Sequence, residues 1–331
     1  MNQIQVADAI SAGGGGMSAA GDVASRLLQS GFKISALRTN KTLRKDEWIQ
    51  YDKAVVDVAR SRLVGVADLM ARGLTYPIAD ALGVTRVEWE LLSDMSPAAV
   101  TMSGVEESEN DRVTFDLTGI PLPIIHKDFN INIRALHASR KTGQPLDTVQ
   151  AQVAARKVAE ALETILFNGA TVLGTNNPIY GYTTAPNRNT GSVTANWSTV
   201  ATGSQMLTDL LAMLGKAVGD NMYGPYVMYV SAAAYVRMSD DLKAASDRSI
   251  IERLLAVPGL EAIRMSKDLT GTTVLLVQMT RDVVDMIDGI QPTTVEWESH
   301  GGMVMHFKVL TIMIPRVRND QLLNSGIVHY S

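Results

Sequence analysis

The stretch that decides the fold of this chain is PLDTVQAQVAARKVAEALETILFNG, residues 145–169. Apolar side chains recur in it at helical spacing, and alanines fill many of the positions between them. Asp147 can accept hydrogen bonds from the first free backbone N–H groups, and Gln150, three positions later, can reach back. Asn168-Gly169 supplies a stop, because glycine readily adopts the left-handed conformation that closes a helix. The pattern predicts one helix over 147–168, about 33 Å long at roughly 1.5 Å per residue.

Composition limits the functions that the chain can have. Its 331 residues leave room for about two domains, and 46% of them are hydrophobic, enough for a substantial core. The sequence has no cysteine, which excludes disulfides and thiolate metal sites. A net charge of −4 and an aromatic content of 5% argue against a basic nucleic-acid binder. No apolar run is long enough to span a bilayer, and the first residues lack the pattern of a secretion signal.

The first 42 residues are predicted to form an arm. Gly13 to Gly16 disfavour regular structure because glycine loses the most backbone entropy on folding. A phosphate-binding loop would require a Lys-Ser or Lys-Thr pair, and Met17-Ser18 follows instead. The segment then becomes basic, without an acidic residue between positions 33 and 45, and the basic residues are Lys33, Arg38, Lys41, Arg44 and Lys45. These five are candidates for contact with nucleic acid or with an acidic partner surface, or they form an ordinary solvated charge run.

A long hairpin is predicted after an amphipathic helix that starts near Asp46 and is interrupted by Gly65. Alternating polar and apolar residues over 84–91 and 112–116 predict its two strands. The polar stretch between them forms an acidic tip, whose carboxylates are Asp94, Glu106, Glu107, Glu109 and Asp111. An isolated two-stranded ribbon is marginal in water, so we expect another body, such as a neighbouring subunit, to receive it.

The remaining pattern alternates strands and helices, which indicates a compact α/β or α+β lobe. A strand over 129–133 and a short polar turn, SRKTGQ, lead into the long helix, on which Glu160 and Glu163 are expected to face water. Amphipathic spacing predicts a helix over 205–218 and shorter helical pieces near 233–238 and 249–255. Short strands are expected at 227–230, near 263, and at 274–277 and 283–287. Long terminal strands are expected at 293–298, 303–314 and 327–330.

The order of these elements resembles that of the major capsid proteins of tailed bacteriophages and of their relatives, the encapsulin shell proteins, which share the Hong-Kong-97-type fold. TLRKDEWIQYDKAVVDVARSRLVG resembles the N-terminal helix of encapsulins. RVEWELLSD and RVTFDLTGIPLPIIHKDFNINIRAL resemble the arms of their extended loop, and GQPLDTVQAQVAARKVAEALETILFNG their spine helix. YGPYVMYVSAAAYVRM resembles the start of their axial domain. The resemblance covers roughly residues 42 to 331.

The resemblance implies an α+β fold and a division of the chain into six parts. They are an N-terminal arm (1–42), an N-terminal helix with the start of the peripheral domain (43–83), an extended loop (84–119), the peripheral domain with the spine helix (120–200), an axial domain (201–290) and returning strands of the peripheral domain (291–331).

The function implied is self-assembly of many copies into pentamers, hexamers and an icosahedral shell around the double-stranded DNA of a phage. The acidic tip at Glu106, Glu107, Glu109 and Asp111 is expected to contact a neighbouring subunit, and the basic arm a neighbour or the DNA. The contact with DNA is expected to be weak and non-specific. Separate scaffolding, portal and decoration proteins are expected as partners. We expect a location in the virion after assembly in the host bacterial cytoplasm, with no membrane partner and no cofactor.

Two alternatives stay open at this stage. An encapsulin-type compartment around a protein cargo fits the quoted motifs, but the arm of some 40 residues departs from the start of encapsulins and favours a phage capsid. A soluble α/β enzyme is the remote alternative. Its weakness is that none of the five histidines, which are His126, His137, His300, His306 and His329, forms an i, i+4 metal pair, and that no Gly-x-Ser-x-Gly motif occurs. No catalytic or metal-binding residue is predicted.

Overall fold

A computed structural model describes Val55, 63–92, Val100, Met102, Arg112, 115–142, 149–172, 178–241, 248–320 and 322–331. Within these ranges the helices are α1 (Gly65–Ala71), α2 (Ile133–Thr142), α3 (Val149–Asn168), α4 (Gly203–Gly219), α5 (Ala232–Met238) and α6 (Ile250–Leu255), with a 3-10 turn at His300–Gly302. The strands are β1 (Thr75–Pro77), β2 (Arg86–Leu92), β3 (Phe115–Pro121), β4 (Ile125–Asn132), β5 (Ala170–Thr171), β6 (Pro178–Ile179), β7 (Asn189–Gly191), β8 (Tyr226–Ser231), β9 (Leu260–Ser266), β10 (Val274–Gln278), β11 (Val284–Ser299), β12 (Val304–Val317) and β13 (Ile327–Tyr330).

Two sheets organise the described part of the chain. The first has the order β1-β11-β12-β4, in which β1 is parallel to β11 and the other pairs are antiparallel. The second has the order β7-β13-β10-β8-β9. The strands β2 and β3 form a separate antiparallel ribbon, as the alternating pattern predicts. The predicted α+β class is confirmed.

The long helix predicted from the sequence is present as α3. Its small residues Ala151, Ala154 and Ala155 are buried against β12, where Phe307 and Val309 complete one core cluster. Alanine has no bulk beyond Cβ, so the helix axis comes close to the sheet. The predicted cap at Asp147 lies outside the described residues.

The second sheet carries its own core. All residues of β8 and β10 are buried, as expected for strands covered on both faces. Helix α4, predicted over 205–218, covers one face and starts with a capping box, in which Thr202 accepts from the backbone of Gln205 and Gln205 from that of Thr202. Met206, Leu210 and Met213 point into this core.

The break predicted at Gly65 falls where a helix starts. Leu63 and Val64 are not part of a helix, and Gly65 is the first residue of α1, buried against α3. A Cβ atom at this position would lie 2.7 Å from Leu166 Cδ2 and 3.2 Å from Phe167 Cζ. Glycine at this position therefore allows the close approach of α1 and α3, and α1 runs from it to Ala71.

The prediction of a polar turn at SRKTGQ is wrong for the first four of its residues. Ser139 to Thr142 belong to α2, which continues directly from the end of β4. Asn132 accepts a hydrogen bond from the backbone N–H of Arg134 at 2.9 Å and so caps this helix. His137, which the sequence pattern places on a strand or turn, is consequently an exposed helical residue.

The two strands predicted at 283–287 and 293–298 are one strand, β11, which pairs with β12 over its full length. Register shifts between Asp288 and Ile290, and between Ile290 and Thr293, absorb extra residues. Pro292 lies in the second shift, where a missing N–H breaks no ladder hydrogen bond. β11 begins at Val284, inside the range expected for the axial domain.

The last strand does not return to the first sheet. The expected division groups 291–331 as strands of one domain, but β13 lies between β7 and β10 in the second sheet. Val328 and Tyr330 pack into the core beside α4. Burial of these two side chains explains why the chain crosses between the sheets after β12.

Candidate assembly surfaces

Among the described residues, the ribbon β2–β3 packs on the body at its base. At its base, Val87 and Ile120 are buried in a cluster with isoleucines of β11 and β12. At its other end, Phe115 and Leu117 are 63% and 61% exposed. These two side chains alternate along β3 and so lie on the same face of the ribbon. The distal half of the ribbon therefore presents an apolar face to solvent.

An ionic and aromatic cluster holds the base of the ribbon against the first sheet. Arg316 donates from Nε to Asp285 Oδ1 at 2.8 Å and from Nη2 to Oδ2 at 2.5 Å, and both side chains are buried. Its guanidinium lies 4.5 Å from the ring centre of Tyr76 and 5.4 Å from that of Trp89. Because Trp89 belongs to β2 and Arg316 to β12, this cation–π contact couples the ribbon to the sheet. Arg318 donates to the same carboxylate at 3.0 Å, and burial lowers the pKa of Arg318 although Asp285 opposes the shift.

A cleft of about 360 Å³ lies beside this cluster, between the ribbon, 178–187 and the end of β12. Two arginines line it. Arg86 pairs with Glu88 at 3.1 Å and Arg318 with Asp285, so both charges are already compensated within the chain. The cleft is the space left where the ribbon packs against the body.

A buried carboxylate joins α3 to α1. Glu163 accepts hydrogen bonds from the backbone N–H groups of Val64 at 3.1 Å, Gly65 at 2.7 Å and Val66 at 3.4 Å. These groups have no partner inside a helix, so the carboxylate completes the start of α1. The expectation that Glu163 faces water is wrong, since it is 5% exposed, whereas Glu160 lies at the surface in an ion pair with a lysine. Burial raises the pKa of Glu163 to about 7, against the lowering effect of the three hydrogen bonds.

Helix α2 is a basic element that the sequence patterns did not reveal. Its sequence, IRALHASRKT, contains three Arg or Lys residues and one histidine but no acidic residue. The side chains of Arg134, His137 and Lys141 are exposed. Among the described elements, the helix has its main contacts with β4. The absence of acidic residues over ten positions was the signal that could have identified it.

The lobe built on the second sheet also exposes apolar side chains. Leu211, Val218, Tyr223 and Val236 are between 47% and 71% exposed. They lie on or next to α4 and α5. Beneath them, the buried Asp209 accepts from Trp197 Nε1 at 2.8 Å and from the backbone of Thr194, which fixes α4 to the preceding loop. The lobe therefore exposes apolar side chains on helices that are anchored to its core.

The sites predicted from the sequence lie outside the described residues. This applies to the acidic tip, with Glu106, Glu107, Glu109 and Asp111, and to the basic arm, with Lys33, Arg38, Lys41, Arg44 and Lys45. Their contacts stay predictions. The structure locates only the strands from which the acidic tip extends.

One pair of residues has the geometry of a nucleophile and a base. Ser299 Oγ lies 2.6 Å from His306 Nε2 and 2.9 Å from His300 Nδ1. The His306 ring stacks on Trp297 with centres 5.3 Å apart, on an open sheet face rather than in a cavity. Among the described residues, no hydrogen-bonded carboxylate orients His306, and no group of three or more His, Asp or Glu could hold a metal ion. The arrangement lacks the third member on which such catalysis depends.

A model of a family of unknown function, DUF6260, matches residues 36–329. The chain belongs to this family. The DUF6260 chain is 27% identical over 286 residues to the type 1 encapsulin shell protein EncA of Myxococcus xanthus, and the match covers 85% of the chain and 92% of that protein.

Solved structures identify the fold of this DUF6260 protein. A virus-like particle from Pyrococcus furiosus superposes with a TM-score of 0.62 at 16% identity, covering 87% of the chain and 99% of that structure. The capsid of Myoviridae phage XM1 superposes with a TM-score of 0.58 at 10% identity, covering 75% of the chain and 85% of that structure. The resemblance proposed from the sequence is confirmed for the fold: the chain has the Hong-Kong-97-type capsid fold.

The described part of this DUF6260 chain contains no helix that is both long and apolar enough to cross a membrane.

Proposed function

We propose that this protein is the major capsid protein of a tailed bacteriophage, which assembles as pentamers and hexamers into an icosahedral shell around double-stranded DNA. The observation that carries self-assembly is the ribbon β2–β3, whose distal face exposes Phe115 and Leu117. A two-stranded ribbon is marginal in water, so a second subunit is needed to bury this face. Contacts between two different surfaces of identical subunits close into rings, which are the units of such shells.

The comparisons support the formation of a shell. The encapsulin relative is matched over 92% of its length, so the likeness extends across the whole subunit rather than one motif. The virus-like particle subunit is covered over 99% of its length. We expect the interfaces between subunits to be obligate and apolar, burying on the order of 2,000 Å² or more.

The segment before the family match supports the phage capsid. The family match begins at residue 36, after a Gly- and Ala-rich segment that leads into the basic arm. The five basic residues of that arm are suited to a weak, salt-dependent contact with packaged DNA or with a neighbour. A net charge of −4 keeps the shell as a whole from binding the DNA tightly.

A compartment enclosing a protein cargo is the second candidate. The match to EncA favours this second candidate, because EncA is named as an encapsulin shell protein. The two candidates share the subunit fold and differ in what the shell encloses. We assign no enzymatic role to the chain in either case.

As a capsid protein the chain resides in the virion, after assembly in the cytoplasm of the host bacterium. Its main partner is itself. Separate scaffolding, portal and decoration proteins are further partners of the proposed function. The acidic tip meets a basic surface of the neighbouring subunit, and the basic arm is one candidate for that surface.

The test is electron microscopy of the full chain expressed alone, combined with the ratio of nucleic-acid to protein absorbance. Closed shells support the proposal, and shells that gain DNA on co-expression with neighbouring phage genes establish the capsid. Uniform small shells that carry a native enzyme would instead assign the protein to cargo compartments. Small oligomers that stay small with the neighbouring genes present would contradict both candidates.

A charge-reversed variant tests the tip. Glu106→Lys, Glu107→Lys and Glu109→Lys together are expected to lower the yield of shells and to weaken its dependence on salt. An unchanged yield with an unchanged salt dependence would exclude the tip from assembly.

A further inference from the structure

The tip of the β11–β12 hairpin brings two histidines to one point. His306 Nε2 lies 2.6 Å and His300 Nδ1 lies 2.9 Å from the same atom, Ser299 Oγ. A hydroxyl has a single proton, so it donates to one of these rings and accepts from the other. At least one ring nitrogen therefore already directs a lone pair at this point.

The hairpin fixes the positions of both rings. Ser299 pairs with Val304, and Trp297 pairs with His306, in a continuous antiparallel register. Ser299 and His306 are therefore diagonal neighbours on one face of the sheet. The His306 ring also stacks on Trp297 with an angle of 10° between the planes. A ligand that is held by a paired strand and a stacked ring needs little further ordering to bind an ion.

The backbone at the tip places a histidine where glycine is favoured. His300 has a φ of 51°, in the left-handed region that a glycine adopts at no steric cost. Gly301, the next residue, has a φ of 63°. Residues other than glycine are uncommon in this region, and such strain is concentrated at active sites and ligand-binding sites. The strained turn is what aims the His300 ring at Ser299.

The two rings can be reached from solution. His300 is exposed, and Ser299 and His306 are half-buried. Lys308, the cation packed on the neighbouring tryptophan, is paired with Asp128 at 3.6 Å, so its charge is compensated within the chain. The described residues contain no group of three or more histidines and carboxylates that could hold a metal ion. Water would therefore fill the coordination positions that two imidazoles leave open.

Two imidazoles select the kind of ion that can bind. Neutral imidazole is the commonest protein ligand for transition metals and suits zinc, copper and nickel. Magnesium and calcium take oxygen ligands instead. For a given set of nitrogen ligands, the affinity for Cu²⁺ exceeds that for Ni²⁺ and for Zn²⁺. The pair of histidines therefore favours Cu²⁺ among the divalent ions.

We propose that His300 and His306 form a binding site for a divalent transition-metal ion at the β11–β12 tip. The ion bonds to His306 Nε2 and His300 Nδ1, and Ser299 Oγ turns away from between them. Both rings are neutral in the complex, and the ring that donated to the hydroxyl carries its proton on its other nitrogen. Each copy of the chain has this site, whatever a shell of such copies encloses.

Calorimetric titration of the full chain, prepared without a histidine tag, tests the site with the ions alone. We expect the wild type to bind one Cu²⁺ per subunit. His300→Ala/His306→Ala should weaken this binding at least about tenfold, the loss that follows removal of even an outer partner of a metal ligand. The matched control is His126→Ala/His137→Ala, which removes two other exposed histidines and should bind Cu²⁺ as the wild type does. Ca²⁺ should give no binding signal.

Electron paramagnetic resonance of the bound Cu²⁺ provides a second measurement, which a misfolded variant cannot imitate. The wild type should show hyperfine coupling to two imidazole nitrogens, and His300→Ala should show coupling to one. Zn²⁺ should raise the melting temperature of the wild type but not that of His300→Ala/His306→Ala, because an ion that binds only the folded chain stabilises it. Equal melting temperatures of the two proteins without metal show that the variant folds.

Three results would overturn the inference. The first is equal Cu²⁺ affinity in the wild type and in His300→Ala/His306→Ala. The second is an equal loss in this variant and in its control, which would mean that surface histidines bind the ion without a defined site. The third is equal binding of Ca²⁺ and Cu²⁺, which would assign the ion to carboxylates. None of these results depends on assembly, so the metal site and the proposed shell are tested separately.

Discussion

Glu163 Oε1 lies 2.7 Å from the backbone nitrogen of Gly65, so a side chain near the end of α3 completes the start of α1 at a separation of 98 residues. The contact requires glycine at position 65, because a Cβ atom there would collide with Leu166. A carboxylate buried to this degree is more stable with its proton than an exposed one, and this has a measurable consequence for the pH dependence of folding.

The variant Glu163→Gln should flatten the pH dependence of stability. Burial raises the pKa of Glu163 to about 7 in the folded state, from an ordinary value of 4.5. The stability gained from the bound proton is therefore fully present below about pH 4.5 and is lost as the pH rises through 7. The shift corresponds to about 3 kcal/mol over that window. Denaturant unfolding of the wild type and the variant at pH 5, 6, 7 and 8 measures the difference.

Two other acids face the same region, and they supply the control. Asp68 and Asp268 lie near Glu163, as do the buried hydroxyls of Tyr182 and Tyr229. Asp268→Asn should leave most of the pH dependence in place, because burial rather than the charge of Asp268 is the main cause of the raised pKa. An equal flattening in both variants would contradict this assignment.

Gly181→Ala should severely destabilise the subunit. A Cβ atom there would lie 2.7 Å from Phe167 O, 2.8 Å from Ile165 O and closer still to Gly169 N, and backbone atoms of a helix end cannot move aside. We expect a loss of at least about 3 kcal/mol in the free energy of unfolding. The thermal melting temperature of the purified subunit measures the effect.

The matched control for that substitution is Gly215→Ala in α4. Nothing lies within 4 Å of a Cβ atom at that position, and alanine favours a helix more than glycine does. It should raise the stability by about 0.5–1 kcal/mol. Equal losses in the two variants would mean that the crowding at Gly181 is not the cause.

Substitutions in the buried ion pair should follow a defined order. Asp285→Asn leaves two arginines, Arg316 and Arg318, without their carboxylate, whereas Arg316→Leu leaves Asp285 with Arg318 at 3.0 Å. Removing one partner of a buried pair costs about 3–5 kcal/mol, and the first variant should lie at the upper end. The double variant Asp285→Asn/Arg316→Leu should lose less than the sum of the single losses. Denaturant titration of all three gives the order, and strict additivity would show that the groups do not interact.

Polar substitutions on the ribbon should separate folding from assembly. Phe115→Ser/Leu117→Ser removes exposed apolar groups, so the free energy of unfolding of the subunit should change by less than about 0.5 kcal/mol per site. The yield of closed shells, counted by electron microscopy, should fall sharply. Leu322→Ser, at a residue of 66% exposure, is the control and should assemble normally. Normal shells from the ribbon variant would contradict the proposed contact.

Periodicity predicted the parts of the fold in which one face is buried. The spacing of Leu162, Ile165 and Leu166 predicts this part of α3 from the sequence alone, because a period of 3.6 residues marks the buried face of a helix. Val149 and Val153, which belong to the same pattern, are instead exposed. Helix α2 was missed for the same reason. Its residues are good helix formers, but within the described part of the chain it has few tertiary contacts, and its sequence carries no long apolar stripe for a pattern to detect.

Contacts between distant residues could not be predicted in this way. A glutamate on an amphipathic helix normally faces water. Glu163 is buried because the segment 64–66, which is distant in sequence, packs over it and donates its backbone N–H groups to the carboxylate. The charges of the acidic tip were evident from composition, but the surface that receives them depends on the fold. The exposure of helix α2 could likewise be seen only in the structure.

Because β13 is an interior strand, only a chain that includes residues 327–330 can complete the second sheet and enter the proposed shell. This strand is among the last residues of the sequence, yet it lies between β7 and β10 and contributes Val328 and Tyr330 to the second core. A chain that is broken off anywhere before residue 327 lacks an interior strand, so β7 loses its neighbour and the core beside α4 is open to water. Chains whose synthesis stops early would therefore fail to fold. They would be excluded from the proposed particle without a separate quality-control factor.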